Sequence, residues 1–499
     1  MEPQERDNER SSPNGPVLSL IRAMIETRCD NVLPLEPIAV METEFTMTKH
    51  NLGQQGADAS FPIDRRALLT TAGKTVAGLA VGGALLSAAP TAALADHERL
   101  RSIGILRKPP VPLTFTLLGG GDFAVALQKL ADIFHAQNPG IAVTVRAVDA
   151  PNWSGYLEKI LTQLAGGQPL DLIDVATEGV QLFGAKDLAL PLDPFIKRDA
   201  HELADFYSDV SPILTEGFKY KGKTLALPFV WNNMVMFYNT TLFKKAGIAP
   251  PSATWTGADF RAIARKLRAV GAYGFNPWAG GTFGIVAWMY AAGGALYNSD
   301  LTKSNATDPA NIAAMQFLHD LVWTDKTSPR PGGPDFPLLE AGRVGMIAAG
   351  RWPVLPFDQA KFNAYDIQYF PKLSPHRKTI VGVGGYPIYR QTQHPEEAWT
   401  YVKFLASRQA MDYITASGFS VPARRSSSYN PKLMNPPHNY RIYYDSLAAA
   451  RSVPAPPQFN EVESALNAAY TKMMANEMTP SDMMTTLDRQ ITSILAKPV

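Results

Sequence analysis

The chain predicts an α/β fold built on a parallel sheet flanked by helices, and three observations carry that prediction. Strand-like runs ("PLTFTLL", "IAVTVRAVD", "LDLIDVA") alternate with helix-like runs ("DFAVALQKLADIFHAQNPG", "WSGYLEKILTQLAGGQP") from Pro112 onward. Most of the 40 prolines fall in loops and at the ends of these runs. The length, 499 residues, exceeds what one hydrophobic core holds, so two or more domains are expected.

The amino end reads as a leader. Residues 1–60 are polar and irregular, without sustained periodicity. Arg65 and Arg66 then precede Leu68 and Leu69, a mildly apolar Ala/Gly-rich stretch runs from Val76 to Ala89, and Ala93–Ala95 supply small residues for cleavage before Asp96. The apolar stretch is shorter than the roughly 20 residues a spanning helix needs. The pattern resembles a twin-arginine signal, although Asp64 stands where Ser or Thr is usual, and the general secretory route stays open. Residues 1–95 are thus expected to be a disordered extension plus a cleavable signal peptide, with Met47 as an alternative start. Cys29 is the one cysteine of the chain and lies upstream of the apolar stretch, so a disulfide framework, a thiol nucleophile and a lipid-anchor cysteine are not expected in the body.

Within the body each element has a local reason. Gly119–Gly121 turn the chain after the first strand, Asp122 is the expected helix cap, and Asn138-Pro139-Gly140 stop that helix. The triple glycine lacks GxGxxG spacing, so no nucleotide cofactor is expected. Beyond Pro228, "NMVMFYN" reads as a strand, "TTLFKKAGI" as a short helix and Thr256 as the cap of "GADFRAIARKLRAVG". "PANIAAMQFLHDLVW" reads as a helix, "GMIAAG" as a strand and "HPEEAWTYVKFLASRQAMDYITASG" as one long amphipathic helix. The carboxyl end is helical from about Asn460 to Leu495.

Composition narrows the function. A net charge of +2, without an aromatic-interleaved basic stripe, gives no reason to expect nucleic acid. The eight histidines show neither HExxH nor metal-ligand spacing, and GxSxG is absent.

Five blocks then carry a family resemblance: "GFKYKGKTLALPFVWNNMVMFYNTTLFKKAGIAPPSATWTGADF", "AAGGALYNSD", "LEAGRVGMIAAGRWPV", "VGVGGYPI" and "EEAWTYVKFLASRQAMDYITASGFSVPAR". In this order they resemble the bacterial extracellular solute-binding proteins of family 1, the sugar-binding subunits of ABC importers. The resemblance covers the chain from about residue 112 onward. It departs at the extra amino-terminal segment and at Val-Gly in "GRVGM", where Ala-Ala is commoner.

The resemblance implies the two-lobed periplasmic-binding-protein fold, each lobe a mostly parallel sheet flanked by helices, with a hinge between lobes. Lobe one would hold 112–226 and 380–425, lobe two 227–379 and 426–499. It implies a periplasmic monomer without catalysis or cofactor, partnered by a small-molecule ligand, a carbohydrate, and by the ABC permease. The alternatives are a non-sugar polar solute (a glycerol phosphodiester, polyamine or organic acid) and a secreted carbohydrate-active enzyme, which would need a spaced pair of carboxylates.

A sugar needs flat aromatics under its C–H faces and planar polar groups at its hydroxyl rim. On that basis the expected ligand residues are Trp352, Arg351, Trp278, Trp231, Asn232, Gly385, Glu178, Asp122, Gly120 and Glu461. Trp352 and Arg351 follow a strand end, where open α/β sheets bind ligands; a packing role for Trp352 and an interlobe ion pair for Arg351 stay open. Trp231 and Asn232 follow the hinge expected at Pro228, on alternate faces. Trp278 lies in a glycine-rich loop, and Trp288 is expected in the core. Gly120, Asp122, Glu178 and Gly385 sit at strand ends or helix starts, and Glu461 opens the last helical region. Trp153 and Tyr156 begin the second helix, where cleft and packing roles are equally open.

Overall fold

The computed structural model describes residues 109–499, apart from 278–279, 331–334, 419 and 431–438. The expected leader, with Cys29, lies outside the described residues.

The first sheet is the one the alternation predicts. Strand β1 (Val111–Leu118) pairs in parallel with β2 (Ile141–Val148) and with β3 (Leu172–Ile173), giving the order β2-β1-β3. The helix Gly121–Gln137 covers it with Phe123, Leu127, Leu130, Ala131 and Phe134, an i, i+4, i+7 stripe. Gly120, not Asp122, is the N-cap; Asp122 lies in the first turn, where its charge favours the helix dipole instead of closing the end.

The run "LDLIDVA" serves two sheets. After β3 the chain turns at Asp174, and β4 (Val175–Ala176) joins the second sheet. A hairpin of β5 (Lys219–Tyr220) and β6 (Lys223–Thr224) precedes β7 (Pro228–Asn233). That second sheet runs β13 (Val421–Pro422), β7, β12 (Thr379–Gly385), β14 (Ala450–Ser452), with β4 also on β12. Its β12–β14 pairing is parallel, and β12–β7, β12–β4 and β13–β7 are antiparallel.

The third sheet belongs to the other lobe, in the order β11 (Tyr365–Gln368), β8 (Val235–Asn239), β10 (Val344–Ala349), β9 (Tyr273–Phe275). Only β10–β9 is parallel. The two-lobed α/β fold is as expected, but the sheets beyond the first are mixed. β8 runs antiparallel to both of its neighbours, β10 and β11.

The chain changes sheet at Met234: β7 belongs with β12, β8 with β10 and β11. The lobe boundary expected at 226/227 therefore falls too early, because Pro228–Asn233 is a strand of the first lobe. Three segments pass side by side there. The Met234 amide donates to Ile380 O (3.3 Å), Thr379 Oγ1 donates to Met234 O (2.7 Å), and the Val453 amide donates to Val381 O (3.0 Å).

Two apolar clusters fill the body, one drawing on both lobes and the other mainly on the second. In β8 and β10 the faces alternate: Met236, Tyr238, Met346 and Ala348 join one cluster, Val235, Phe237, Ile347 and Ala349 the other. Trp288 is core as expected, ringed by Phe260, Phe275, Phe317 and Phe370. Thr256 makes a full capping box with Asp259. The expected long helix is two, Pro395–Leu405 and Arg408–Ala416, because Ser407 caps the second; Thr479 likewise starts Pro480–Leu495 after Phe459–Met474. Among the described residues no helix is long and apolar enough to cross a membrane.

Candidate functional site

The lobes meet where several helix starts face one another. The helix Trp153–Ala165, capped by Asn152, and the helix Thr177–Ala185 come from the first lobe. The helices Gly281–Ala291 and Phe459–Met474 come from the second. Glu463 joins them. Its Oε2 accepts from Ser154 Oγ, across the lobes, and its Oε1 accepts from the Thr282 amide at 3.0 Å. It sits so close to Gly281 that a Cβ there would lie 2.7 Å from Oε1, and Gly281 holds φ +66°, so glycine is required twice over.

Glu178 is the first-lobe counterpart. It is buried, with Thr177 Oγ1 donating to it at 3.2 Å. Burial raises its pKa from 4.5 to about 7, and the charge of Glu463 adds to the rise. Behind it, burial raises Asp174 from 3.8 to about 8 against the Leu118 amide that donates to it, with Glu178 adding. None of these three carboxylates has an ion-pair partner among the described residues. The seam is therefore a low-dielectric place that favours protonated carboxyls or hydrogen-bond donors brought by a guest.

Half-buried aromatics border the acids. Trp153, of the first lobe, packs against the cluster of the second, and the Trp352 ring meets Asn232 of β7 over Gly350, which places both at the lobe junction. Phe283 meets Trp352 edge-on at 5.9 Å and lies over Gly382 of β12, where a Cβ would come within 3.0 Å of its ring. The glycine-arginine-tryptophan end of β10 now has a physical account. The Trp352 ring and Asn232 Cβ occupy the space a side chain at residue 350 would need. The Arg351 amide donates to Asn232 Oδ1 at 2.8 Å, tying this strand end to β7.

The expected ligand residues divide. Trp352, Asn232 and Glu178 lie at the junction. Asp122 is exposed and accepts from Gln359 Nε2 of the other lobe at 3.0 Å, and Gly120 is exposed beside it with open space around its Cα. Trp278 lies outside the described residues.

Four expectations are corrected. Trp231 is 1% exposed, donates from Nε1 to Pro422 O at 2.9 Å and packs edge-on to Tyr444; strand alternation turns it into the core and leaves Asn232 on the other face. Gly385 does not make room for a ligand: a Cβ there would lie 2.6 Å from Leu227 O, so the glycine serves a β-bulge. Arg351 is 2% exposed and turned inward over the Tyr440 ring at 4.9 Å, and it makes no interlobe ion pair. Glu461 is exposed and ion-paired with Lys497. Two residues further on, about 200° around the helix, Glu463 points into the junction instead.

Sequence reasoning missed Glu463, Ser154 and Phe283. Glu463 did leave a signal. It lies beside the stripe Val462, Leu466, Ala469, Tyr470 and Met473, where a carboxylate needs a partner.

Comparison with known proteins agrees with this architecture. The family model for bacterial extracellular solute-binding proteins matches residues 120–412. A binding protein of Brucella abortus is 25% identical over 386 residues, 74% of this chain and 90% of that one. Among solved structures, the ABC substrate-binding protein of Listeria monocytogenes in complex with cycloalternan superposes with a TM-score of 0.69 at 24% identity, covering 77% of this chain and 98% of that one. An ABC-transporter solute-binding protein of Thermotoga lettingae, bound with α-D-tagatose, gives 0.68 at 22% identity, covering 77% and 100%. The matched span exceeds half the chain, so the chain belongs to the bacterial extracellular solute-binding protein family.

Proposed function

We propose that this protein captures a sugar or polyol between its lobes and delivers it to the membrane subunits of an ABC importer. The carrying observation is the lobe junction itself, where Trp153, Phe283 and Trp352 border Ser154, Glu178 and Glu463. Aromatic faces suit the C–H faces of a sugar, while carboxylates and hydroxyls suit its rim. The neighbours of like fold hold cycloalternan and α-D-tagatose, which supports a carbohydrate ligand here.

In this reading the protein works in the periplasm as a monomer and performs no chemistry. Ligand binds both lobes and so favours the closed form by its differential affinity, and the permease reads that form. Trp352, Asn232, Glu178, Glu463 and Trp153 contact ligand, with Asp122 and Gln359 meeting at the rim.

A thermal-shift panel of mono-, di- and oligosaccharides, polyols, polyamines and glycerol phosphates tests this, using the chain from Asp96 onward. The expected result is a saturable upward shift with one carbohydrate or polyol; ligand at about 100 times its Kd adds roughly 2.7 kcal/mol. A shift with amines or phosphates alone overturns the carbohydrate assignment. Release of a cleaved product overturns the binding role.

A further inference from the structure

Arg351 is the most anomalous group in the molecule. Its guanidinium is 2% exposed, yet Nε and Nη1 have no hydrogen-bond partner, and no carboxylate of the described residues lies within ion-pairing distance. An uncompensated buried cation is costly, because the desolvation penalty of a charge is several kcal/mol unless an opposite charge or acceptors replace its water. Among the described residues nothing supplies the opposite charge. Tyr440 offers its ring face at 4.9 Å, and Tyr443 uses its hydroxyl on Gly350 O at 3.3 Å. The hydroxyl of Tyr365 is itself buried and unpartnered, and the hydroxyl of Tyr440, also buried, has only the Arg351 guanidinium beside it.

The groups that face the guanidinium are Tyr365, Tyr440, Tyr443 and Asp358, each of which feels its charge. Asp358 is the one acid among them, and it is exposed to solvent. A carbon placed over Gly418 would be 3.7 Å from both Arg351 Nη1 and Asp358 Oδ2, an ordinary contact distance. A group of methyl size thus fits there in contact with the guanidinium. Guanidinium N–H groups cannot accept, and phenol hydroxyls can donate. Three neighbouring side chains therefore have donors to spare and share a surplus positive charge.

We propose that Arg351, with the hydroxyls of Tyr365 and Tyr440, forms a buried site for one small anion of the chloride or carboxylate class, behind the lobe junction. The anion neutralises the guanidinium and accepts from Nε, Nη1 and the phenols. Its place matters because the Arg351 amide holds Asn232 and the next residue is Trp352. An occupied site would steady the floor on which ligand is expected to rest. The negative charge has two sources, a free anion from solvent or the acid group of the transported solute.

The test measures unfolding temperature of the chain from Asp96 onward against sodium chloride, acetate and phosphate at matched ionic strength, with ³⁵Cl line broadening as a direct readout. The expected result is a saturable, anion-selective rise in the wild type. It is lost in R351Q and weakened at least several-fold in Y440F, which keeps the charge and the ring if R351Q does not fold. D358N, with one acid fewer nearby, binds the anion more tightly. Gluconate compared with sorbitol separates the sources: a rise with gluconate but not acetate assigns the charge to the solute. Equal responses in wild type, R351Q and Y440F overturn the proposal. So does a flat wild type with D358N unfolding at lower temperature, because Asp358 would then be the counter-charge.

Discussion

Trp352 and Trp231 show how two tryptophans of one neighbourhood part company. Trp352 ends a strand and lies half-buried at the junction, edge-on to Phe283. Trp231 lies mid-strand, sealed under Pro422 and Tyr444. Trp352→Ala is expected to weaken ligand binding about tenfold or more, or about 1.4 kcal/mol, with a small change in unfolding midpoint. Trp231→Ala is expected to lose about 3–5 kcal/mol of stability through cavity formation. Calorimetric titration and denaturant unfolding on the same two variants separate the roles. Glu178 adds a pH signature. Between its ordinary 4.5 and about 7 the folded protein keeps a proton that the unfolded chain has released. That contribution is full at acid pH and fades as pH rises through 7, with Asp174 extending the decline to about 8. Glu178→Gln should lessen the slope of unfolding free energy between pH 5 and 7, with Asp174 sustaining the rest, and an unchanged slope would remove Glu178 as a source. At this scale the sequence was partly legible. A tryptophan just past an apolar strand is visible in the chain, whereas Glu461 and Glu463 differ only in helical phase, which tertiary packing decides.

Helices were the easiest elements to read, since caps and apolar stripes are local. Thr256 caps where a short polar side chain precedes an apolar periodicity. Ser407 was hidden because the apolar period runs on through it. Strand membership was the hard part. Asn233–Asn239 read as one strand, with the hinge expected at Pro228, and nothing local marks Met234 as the point where the chain leaves one sheet for another. The strand pairings that divide it come from residues more than a hundred positions away. Gly385 is an element-scale feature for the same reason: the bulge that needs it is set by β7 and β4 together. Gly385→Ala pushes a methyl into backbone, which a flexible side chain cannot relieve. A loss of about 1–3 kcal/mol is expected, read as a lower urea midpoint, with ligand affinity of the folded fraction unchanged.

For the whole molecule, Asp122 and Gln359 give a handle on closure. They meet at 3.0 Å although they belong to different lobes. With Cys29 upstream of the expected cleavage site, a D122C/Q359C variant of the processed chain carries its only thiols at the rim. Bridging them with a short bifunctional thiol reagent after ligand loading should slow ligand release at least tenfold, measured by chase with unlabelled ligand. A release rate unchanged by bridging would mean that this contact does not follow closure.

The position of β12 carries a further consequence, for the order of events in time. Thr379–Gly385 is the strand against which β7, β4 and β14 all align, yet it emerges from the ribosome only after most of the second lobe. The first lobe has no complete second sheet until residue 452 is made, and the second lobe is still waiting for Phe459–Leu495. Neither half can finish early, because the contacts that close each are distant in sequence and such closure is slow. A nascent chain of this design is expected to lack the closing contacts of either lobe until nearly all of it has been made.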